Sequence, residues 1–212
     1  MVRWLNNICA GAQSQAECTC DMRIIAGTAR GRRLIVPPTN DVRPTTDRVR
    51  EALFSHLADI VRQGDVLDLF AGSGALGLES LSRGARRVVF VEQSRATFSC
   101  LKKNIVALGF ENRCTCYLAN ALSWMKRLKG SGQEFDLIFL DPPYDGNYLL
   151  PVLDLIVDTR CLTSTGIIVA EHREGFNVDG MELNPALSVR RKKQYGKTAI
   201  TTLEWSPQPE NG

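Results

Sequence analysis

From Asp65 onward this 212-residue chain repeats one pattern: a short apolar run, a polar or glycine-rich turn, then a stretch of helical period. The apolar runs are Val66-Leu67-Asp68-Leu69-Phe70, Val88-Val89-Phe90-Val91, Cys114 to Leu118, Asp136 to Leu140 and Gly166 to Ala170. Helical segments separate them, among them Ala75 to Ser82 and Arg95 to Leu108. Parallel strands need long crossovers to reach one another, and the helices in those crossovers cover both faces of the sheet. The last segments, Leu187 to Arg191 and Thr198 to Trp205, read as an antiparallel hairpin closing the sheet. The expected fold is therefore α/β, a doubly wound, mostly parallel sheet.

Ahead of this pattern the texture differs. Residues 1–21 show neither helical nor strand period and are expected to be a disordered or mis-annotated extension. Met22 to Ala26 and Arg33 to Val36 read as two short strands around a Gly27-to-Gly31 turn, a small hairpin ended by Pro37 and Pro38. A helix then opens at Thr45-Thr46-Asp47, with Val49, Leu53, Leu57 and Ile60 on one face. The expected divisions are the extension, a basic hairpin and loop over 22–45, and one domain over 46–212.

With 44% hydrophobic and 23% charged residues the chain can bury a sizeable core. A net charge of +3 says nothing about a polyanion partner, but the distribution does. Residues 22–50 carry seven arginines (Arg23, Arg30, Arg32, Arg33, Arg43, Arg48 and Arg50) and two aspartates, a net of +5. Arg190, Arg191, Lys192, Lys193 and Lys197 form a second cluster. Two such patches fit contact with nucleic-acid phosphates, although a single charge run is commonly just a solvated surface. The seven cysteines have no zinc spacing with His56 or His172, so no metal site is read and the compartment is a reducing cytoplasm. Cys114 and Cys116 share a strand face and read as buried thiols. No run of about twenty apolar residues is present for a membrane span.

The glycine-rich turn Asp68-Leu69-Phe70-Ala71-Gly72-Ser73-Gly74-Ala75-Leu76-Gly77 sits where the first apolar strand passes into a helix. That edge is where doubly wound sheets bind ligands. Gly72 and Gly74 let the backbone bend sharply and approach a ligand closely. Glu92, ending the second strand, can accept hydrogen bonds from both hydroxyls of a ribose. Gly72-x-Gly74-x-x-Gly77 with an acid about twenty residues on also fits the dinucleotide fingerprint, so an NAD reading competes. Asp68 favours a cationic ligand, because a carboxylate attracts an ammonium group and repels a pyrophosphate.

Asp136 to Leu140 runs straight into Asp141-Pro142-Pro143-Tyr144 at the same edge. Two prolines fix φ and remove two backbone donors, leaving carbonyls as acceptors. The Asp141 carboxylate and the Pro142 carbonyl can together accept both N–H groups of an exocyclic amine on a base. Tyr144 offers a ring face for stacking. Hydride transfer has no use for this arrangement.

The two motifs resemble those of class I methyltransferases of the amino-methylating (D/N)PP(Y/F) group. Over Met22 to about Trp205 the chain resembles the bacterial RsmD-type methyltransferases, which modify guanine N2 in 16S ribosomal RNA. The further matches are Met22-Arg23-Ile24-Ile25-Ala26-Gly27, Arg43-Pro44-Thr45-Thr46-Asp47-Arg48-Val49-Arg50-Glu51-Ala52-Leu53-Phe54 and Gln194-Tyr195-Gly196. The resemblance implies a seven-stranded class I (Rossmann-like) sheet, S-adenosylmethionine as cofactor, a guanine of the 966 type as target, and a cytoplasmic monomer acting on ribosomal RNA or the small-subunit particle. It assigns Asp68, Phe70, Ala71, Gly72, Ser73 and Gly74 to the cofactor's methionine end, Glu92 to its ribose, and Asn120 and Ala121 to its adenine. It assigns the chemistry to Asp141, Pro142, Pro143 and Tyr144. RNA contacts would come from Arg30, Arg32, Arg33, Arg43, Thr45, Thr46, Arg48, Arg190, Arg191, Lys192 and Lys193. Asp-Pro-Pro-Tyr also occurs in adenine-N6 enzymes, so an adenine in RNA or DNA competes with guanine as the target. An NAD-dependent oxidoreductase and a non-catalytic RNA-binding assembly factor fit the motifs less well. Residues 1–21 carry no site residue, so a chain starting at Met22 should keep its melting temperature and methylation rate. A fall of several degrees in a thermal melt would show instead that they dock on the core.

Overall fold

The computed structural model describes residues 22–37, 47–143, 147–173, 183–196 and 198–207. In chain order the elements are a two-stranded hairpin of β1 (Met22–Arg23) and β2 (Arg33–Leu34), then α1 (Asp47–His56) and α2 (Ala58–Val61). The repeating part follows as β3 (Asp65–Asp68), α3 (Ala75–Ser82), β4 (Arg87–Glu92), α4 (Arg95–Leu108) and β5 (Cys114–Leu118). It continues with α5 (Ala121–Lys126), β6 (Phe135–Leu140), α6 (Leu149–Thr159) and β7 (Leu162–Arg173). β8 (Leu187–Tyr195) and β9 (Thr198–Trp205) close the sheet as an antiparallel pair, with β9 against β7.

The seven strands lie in the order β5-β4-β3-β6-β7-β9-β8, and the first five are mutually parallel. The chain moves outward from β3 to β5, then returns to lay β6 on the other side of β3. At that reversal the carboxyl ends of neighbouring strands open a crevice, the ligand site of doubly wound sheets.

Alternation along each strand feeds two cores. Val66, Val88, Phe90, Leu137 and Phe139 point to the face covered by α1, α3, α4 and the hairpin. Leu67, Val89, Val91, Ile138 and Leu140 point to the face covered by α5 and α6. On the first face the Phe54 ring of α1 packs 5.8 Å from that of Phe139. Helix ends are set locally: Ser94 Oγ accepts from the Thr97 N–H at the start of α4, and Gly109 closes that helix at φ +72°.

The hairpin has only two ladder pairs, and α3 adds much of its hold. The carboxylate of Glu79, fully buried, accepts from Ile25 N (2.7 Å), Ala26 N (3.0 Å) and Arg83 Nε (2.6 Å). Ser82 Oγ accepts from Ala29 N (3.0 Å) and its carbonyl from Thr28 N (2.8 Å). Gly27, at φ +83°, lies so close to the Ser82 carbonyl that a Cβ there would be 1.9 Å from the oxygen.

Several boundaries differ from the sequence reading: the hairpin strands stop at Arg23 and Leu34, and β3 ends at Asp68. The helix expected through Ile60 breaks at Leu57, whose ψ of 3° separates α1 from α2. β7 starts at Leu162 and continues past Ala170 to Arg173, because β9 pairs with its polar end through Thr198 to Ile200. β8 likewise extends to Tyr195, held by the same neighbour. Tertiary pairing carries these strands beyond their apolar cores.

Gly77 faces β4 so closely that a Cβ would lie 2.3 Å from Phe90 Cε1. Gly77→Ala should therefore cost about 1–3 kcal/mol, the usual penalty of overpacking. A denaturant midpoint unchanged from that of the parent chain would contradict the close approach.

Candidate active site

Each parallel strand ends in a polar residue at the crevice edge. Asp68, Glu92, Asn120 and Asp141 follow β3, β4, β5 and β6 in this way, and Glu171 lies near the end of β7. The first four match sequence expectation. Glu171 was missed because the apolar run appeared to stop at Ala170. Strand register pairs Leu140 with Ala170, which sets Asp141 and Glu171 beside each other along neighbouring strands.

The glycine-rich turn is held by side chains from three elements. Asp68 Oδ2 accepts from Gly77 N (3.0 Å), tying the end of β3 to the first turn of α3. Glu92 Oε2 accepts from Gly72 N (2.9 Å), and its Oε1 from Ser94 N (2.6 Å). Asn104 Nδ2 donates to the Ser73 carbonyl (2.9 Å). Gly72 and Gly74 both have positive φ, but they serve different needs. A Cβ at Gly74 would meet Leu101 at 2.5 Å, whereas one at Gly72 would meet open space. Gly74 permits packing against α4, and Gly72 permits the turn itself.

Carboxyl groups crowd this edge. Burial pushes the Asp68 carboxyl up to about 7, with the Gly77 N–H opposing and Glu92 adding to the rise. Asp141 is exposed along the open edge, yet the protein mass around its carboxyl, then Glu171, then Asp68, hold its pKa well above the usual carboxylate range. Carboxylates set this close resist ionising together, so a cationic ligand is favoured here. A pyrophosphate is not: the Gly72 and Gly77 amides that would cradle it already donate to Glu92 and Asp68.

Among the remaining candidates, Ala71 and Ser73 are buried in the turn and Phe70 is half-buried. The ring of Tyr148 stands edge-on to Phe70 at 5.9 Å, an aromatic neighbour that sequence reasoning did not single out. Its position just before α6 was the available signal. Asn120 caps α5 by accepting from Ser123 N (3.2 Å) and donates to Gln93 Oε1 (3.2 Å), while Ala121 behind it is buried. Pro142 is buried and Pro143 exposed. Tyr144, Arg43, Thr45, Thr46 and Lys197 lie outside the described residues, as do residues 1–21.

The basic residues divide by position. Through β9, Lys192 is level with Ala170 and Lys193 with Glu171, so the β8 cluster stands at the height of Asp141, three strand spacings or about 14 Å away. Arg190, Arg191, Lys192 and Lys193 are exposed there, with Arg190 paired to Glu204 (3.0 Å). Arg30, Arg32, Arg33 and Arg48 are also exposed. Arg32 Nη2 donates to the Ala107 carbonyl in the last turn of α4, at the end of that 14-residue helix away from Glu92, a rise of about 20 Å. The hairpin turn is thus not at the crevice. Two arginines counted with this patch pair with Asp47. Arg50 is buried on the inward side of α1, donating to Asp47 Oδ1 (2.8 Å) and the Arg23 carbonyl (2.8 Å), and Arg23 itself pairs with Asp47. Cys114 and Cys116 are half-buried rather than buried, and burial pushes their thiols up to about 12 and about 11, leaving them protonated.

Known proteins resemble the chain over most of its length. The family model described as "Conserved hypothetical protein 95" matches residues 22–204. Ribosomal RNA small subunit methyltransferase D of Escherichia coli is 37% identical over 191 residues, covering 90% of this chain and 93% of that protein. The Haemophilus influenzae protein of the same name is 38% identical over 156 residues, 71% of this chain and 78% of its own length. The solved structure of yhhF from Escherichia coli superposes with a TM-score of 0.78 at 36% identity, covering 88% of this chain and 99% of the other. The chain belongs to the RsmD family of methyltransferases, and its sheet is of the class I methyltransferase type.

Proposed function

We propose that the protein transfers a methyl group from S-adenosylmethionine to the exocyclic N2 amine of a guanine in small-subunit ribosomal RNA. The observation that carries this reading is the acidic edge, where Asp68, Glu92, Asp141 and Glu171 line the ends of neighbouring strands beside a turn whose Gly72 and Gly77 amides are already occupied. It suits a ligand that is cationic at its reacting end, and relatives named for ribosomal RNA methylation supply the substrate class. The cofactor, when bound, supplies an electrophilic methyl carbon on a sulfonium.

The chain's residues divide the remaining work. Asp68 faces the ammonium group of the methionine end, and Phe70, Ala71, Gly72, Ser73 and Gly74 shape the turn beneath it. Glu92 accepts from the ribose hydroxyls with lone pairs its two amide donors leave free. Asn120 and Ala121 border the adenine. Asp141 and the Pro142 carbonyl accept the two amine N–H groups, Pro143 fixes the backbone, and Tyr144 stacks on the base. With the cofactor held there, its methyl carbon would be offered to the amine nitrogen, and the Asp141 carboxylate would be placed to take the proton the amine gives up. Positioning is most of the catalysis. The target base must be unpaired or turned out of its helix for its amine to reach Asp141.

Arg190, Arg191, Lys192 and Lys193 hold phosphates near the crevice. Arg30, Arg32, Arg33, Arg43, Thr45, Thr46 and Arg48 extend the contact along the hairpin side. The protein acts as a cytoplasmic monomer on ribosomal RNA or the small-subunit particle. Incubation with labelled S-adenosylmethionine and unmodified small-subunit particles should yield labelled N2-methylguanosine. Labelled N6-methyladenosine would move the assignment to the adenine reading.

Asp141→Ala should lower turnover about 10²–10³-fold while cofactor affinity stays nearly intact, because Asp141 acts on the base. Near-normal turnover would remove it from the mechanism. Asp68 has a folded pKa of about 7, raised above its unfolded value, so its ionised form is disfavoured in the free protein. A cationic cofactor stabilises that form. Cofactor affinity should therefore rise as pH passes upward through about 7, with proton uptake by buffer on binding, and Asp68→Asn should remove both effects. Calorimetry in buffers of different ionisation enthalpy reads this directly. Changing Arg30, Arg32 and Arg33 together to glutamine should flatten the salt dependence of RNA binding, by roughly 0.7–0.9 in log–log slope per lost phosphate contact. An unchanged slope would make these arginines ordinary surface charge.

A further inference from the structure

Asn104 lies in the middle of α4, outside every motif the sequence offers, and it is 1% exposed. Its amide is fully engaged. Oδ1 accepts from Ile35 N (2.7 Å), and Nδ2 donates to the Ile35 carbonyl (2.9 Å) and to the Ser73 carbonyl (2.9 Å). Two of these bonds mimic a neighbouring strand and hold the backbone just beyond β2. The third holds the glycine turn at the residue between Gly72 and Gly74. Ser73 also touches the other hairpin strand, its Oγ lying 3.8 Å from Met22 Sδ. β1 therefore meets the cofactor turn directly at Ser73, and the residue that follows β2 meets it through Asn104.

We infer that Asn104 is a positioning residue that links the cofactor turn to the substrate-binding hairpin, so that occupying one strengthens binding at the other. This rests on the proposed function, which assigns the turn to cofactor and the hairpin to RNA. A ligand that fixes the turn also fixes Ser73, and through Asn104 it fixes Ile35. The second ligand then meets a partner already ordered, and the linkage is reciprocal.

The test uses the full chain and a fluorescent stem-loop of small-subunit ribosomal RNA, with affinity measured in the absence and presence of saturating S-adenosylhomocysteine. The demethylated product is chosen because it lacks the sulfonium charge, which would itself attract RNA. RNA affinity of the parent chain should rise at least about fivefold with the product bound. Asn104→Asp keeps the acceptor for Ile35 N but turns an oxygen toward two carbonyls, and it should bring the ratio close to one while still binding the product. Glu79→Gln loosens the hairpin on α3 without touching the turn, and it should retain the parent ratio.

A parent ratio of one overturns the inference without reference to any variant. So does a folded Asn104→Asp protein with the parent ratio, or a Glu79→Gln protein that loses it equally. A chain that binds RNA but not S-adenosylhomocysteine overturns the cofactor assignment, and with it this linkage. Product binding with a ratio of one overturns the linkage alone.

Discussion

The hydrogen bond from Gly77 N to Asp68 Oδ2 fixes the turn on which the site is built. It joins the last residue of β3 to the first turn of α3 and closes the loop between them. That bond also consumes a helix N-terminal amide, one that would otherwise be available to an anion. Glu92 occupies the turn amide of Gly72 in the same way. In the proposed reading, the same two contacts that hold the turn also favour a cationic ligand over an anionic one, although the glycine pattern is shared with dinucleotide-binding proteins.

The proposed catalytic edge follows from sheet topology. β3 and β6 are neighbours in space though far apart in sequence, and this adjacency brings Asp68 within electrostatic reach of Asp141. β7 adds Glu171 from the other side. Repulsion among these groups is a cost to the free protein, since Asp68 and Asp141 ionise readily only beside water or a positive charge. Strain of this kind is usual where a site is built for its ligand. The basic strand β8 stands at the same height but three strands away, so the two signs of charge are kept apart on one edge.

Much of this was legible in the sequence, because strand ends are. Asp68, Glu92, Asn120 and Asp141 each close an apolar run, and in a parallel sheet all such closures fall on one edge. Glu171 was hidden by the polar continuation Glu171-His172-Arg173, which stays in the ladder only because β9 pairs with it. Glu79 and Asn104 were hidden for another reason. Each lies within a helical segment, where a single polar residue reads as solvent-facing, and only the packing of the hairpin shows that both are buried. Arg50 reversed the error: counted as surface charge, it proves to be folded inward against Asp47 and the Arg23 carbonyl. A charge tally along the chain cannot separate a guanidinium that meets solvent from one that holds backbone.

The edge strand β8 carries Arg190, Arg191, Lys192 and Lys193 in an unbroken exposed run, with a register shift between Val189 and Arg191. An outermost strand offers unpaired amides and carbonyls to any passing chain, and a second copy of the same strand is the partner nearest to hand. Four like charges and a bulge make that pairing unfavourable. The cluster proposed to hold phosphates thus also guards the protein against polymerising edge to edge. Neutralising it for any purpose would trade away solubility, and a variant stripped of these charges should be watched for aggregation before its loss of RNA contact is interpreted.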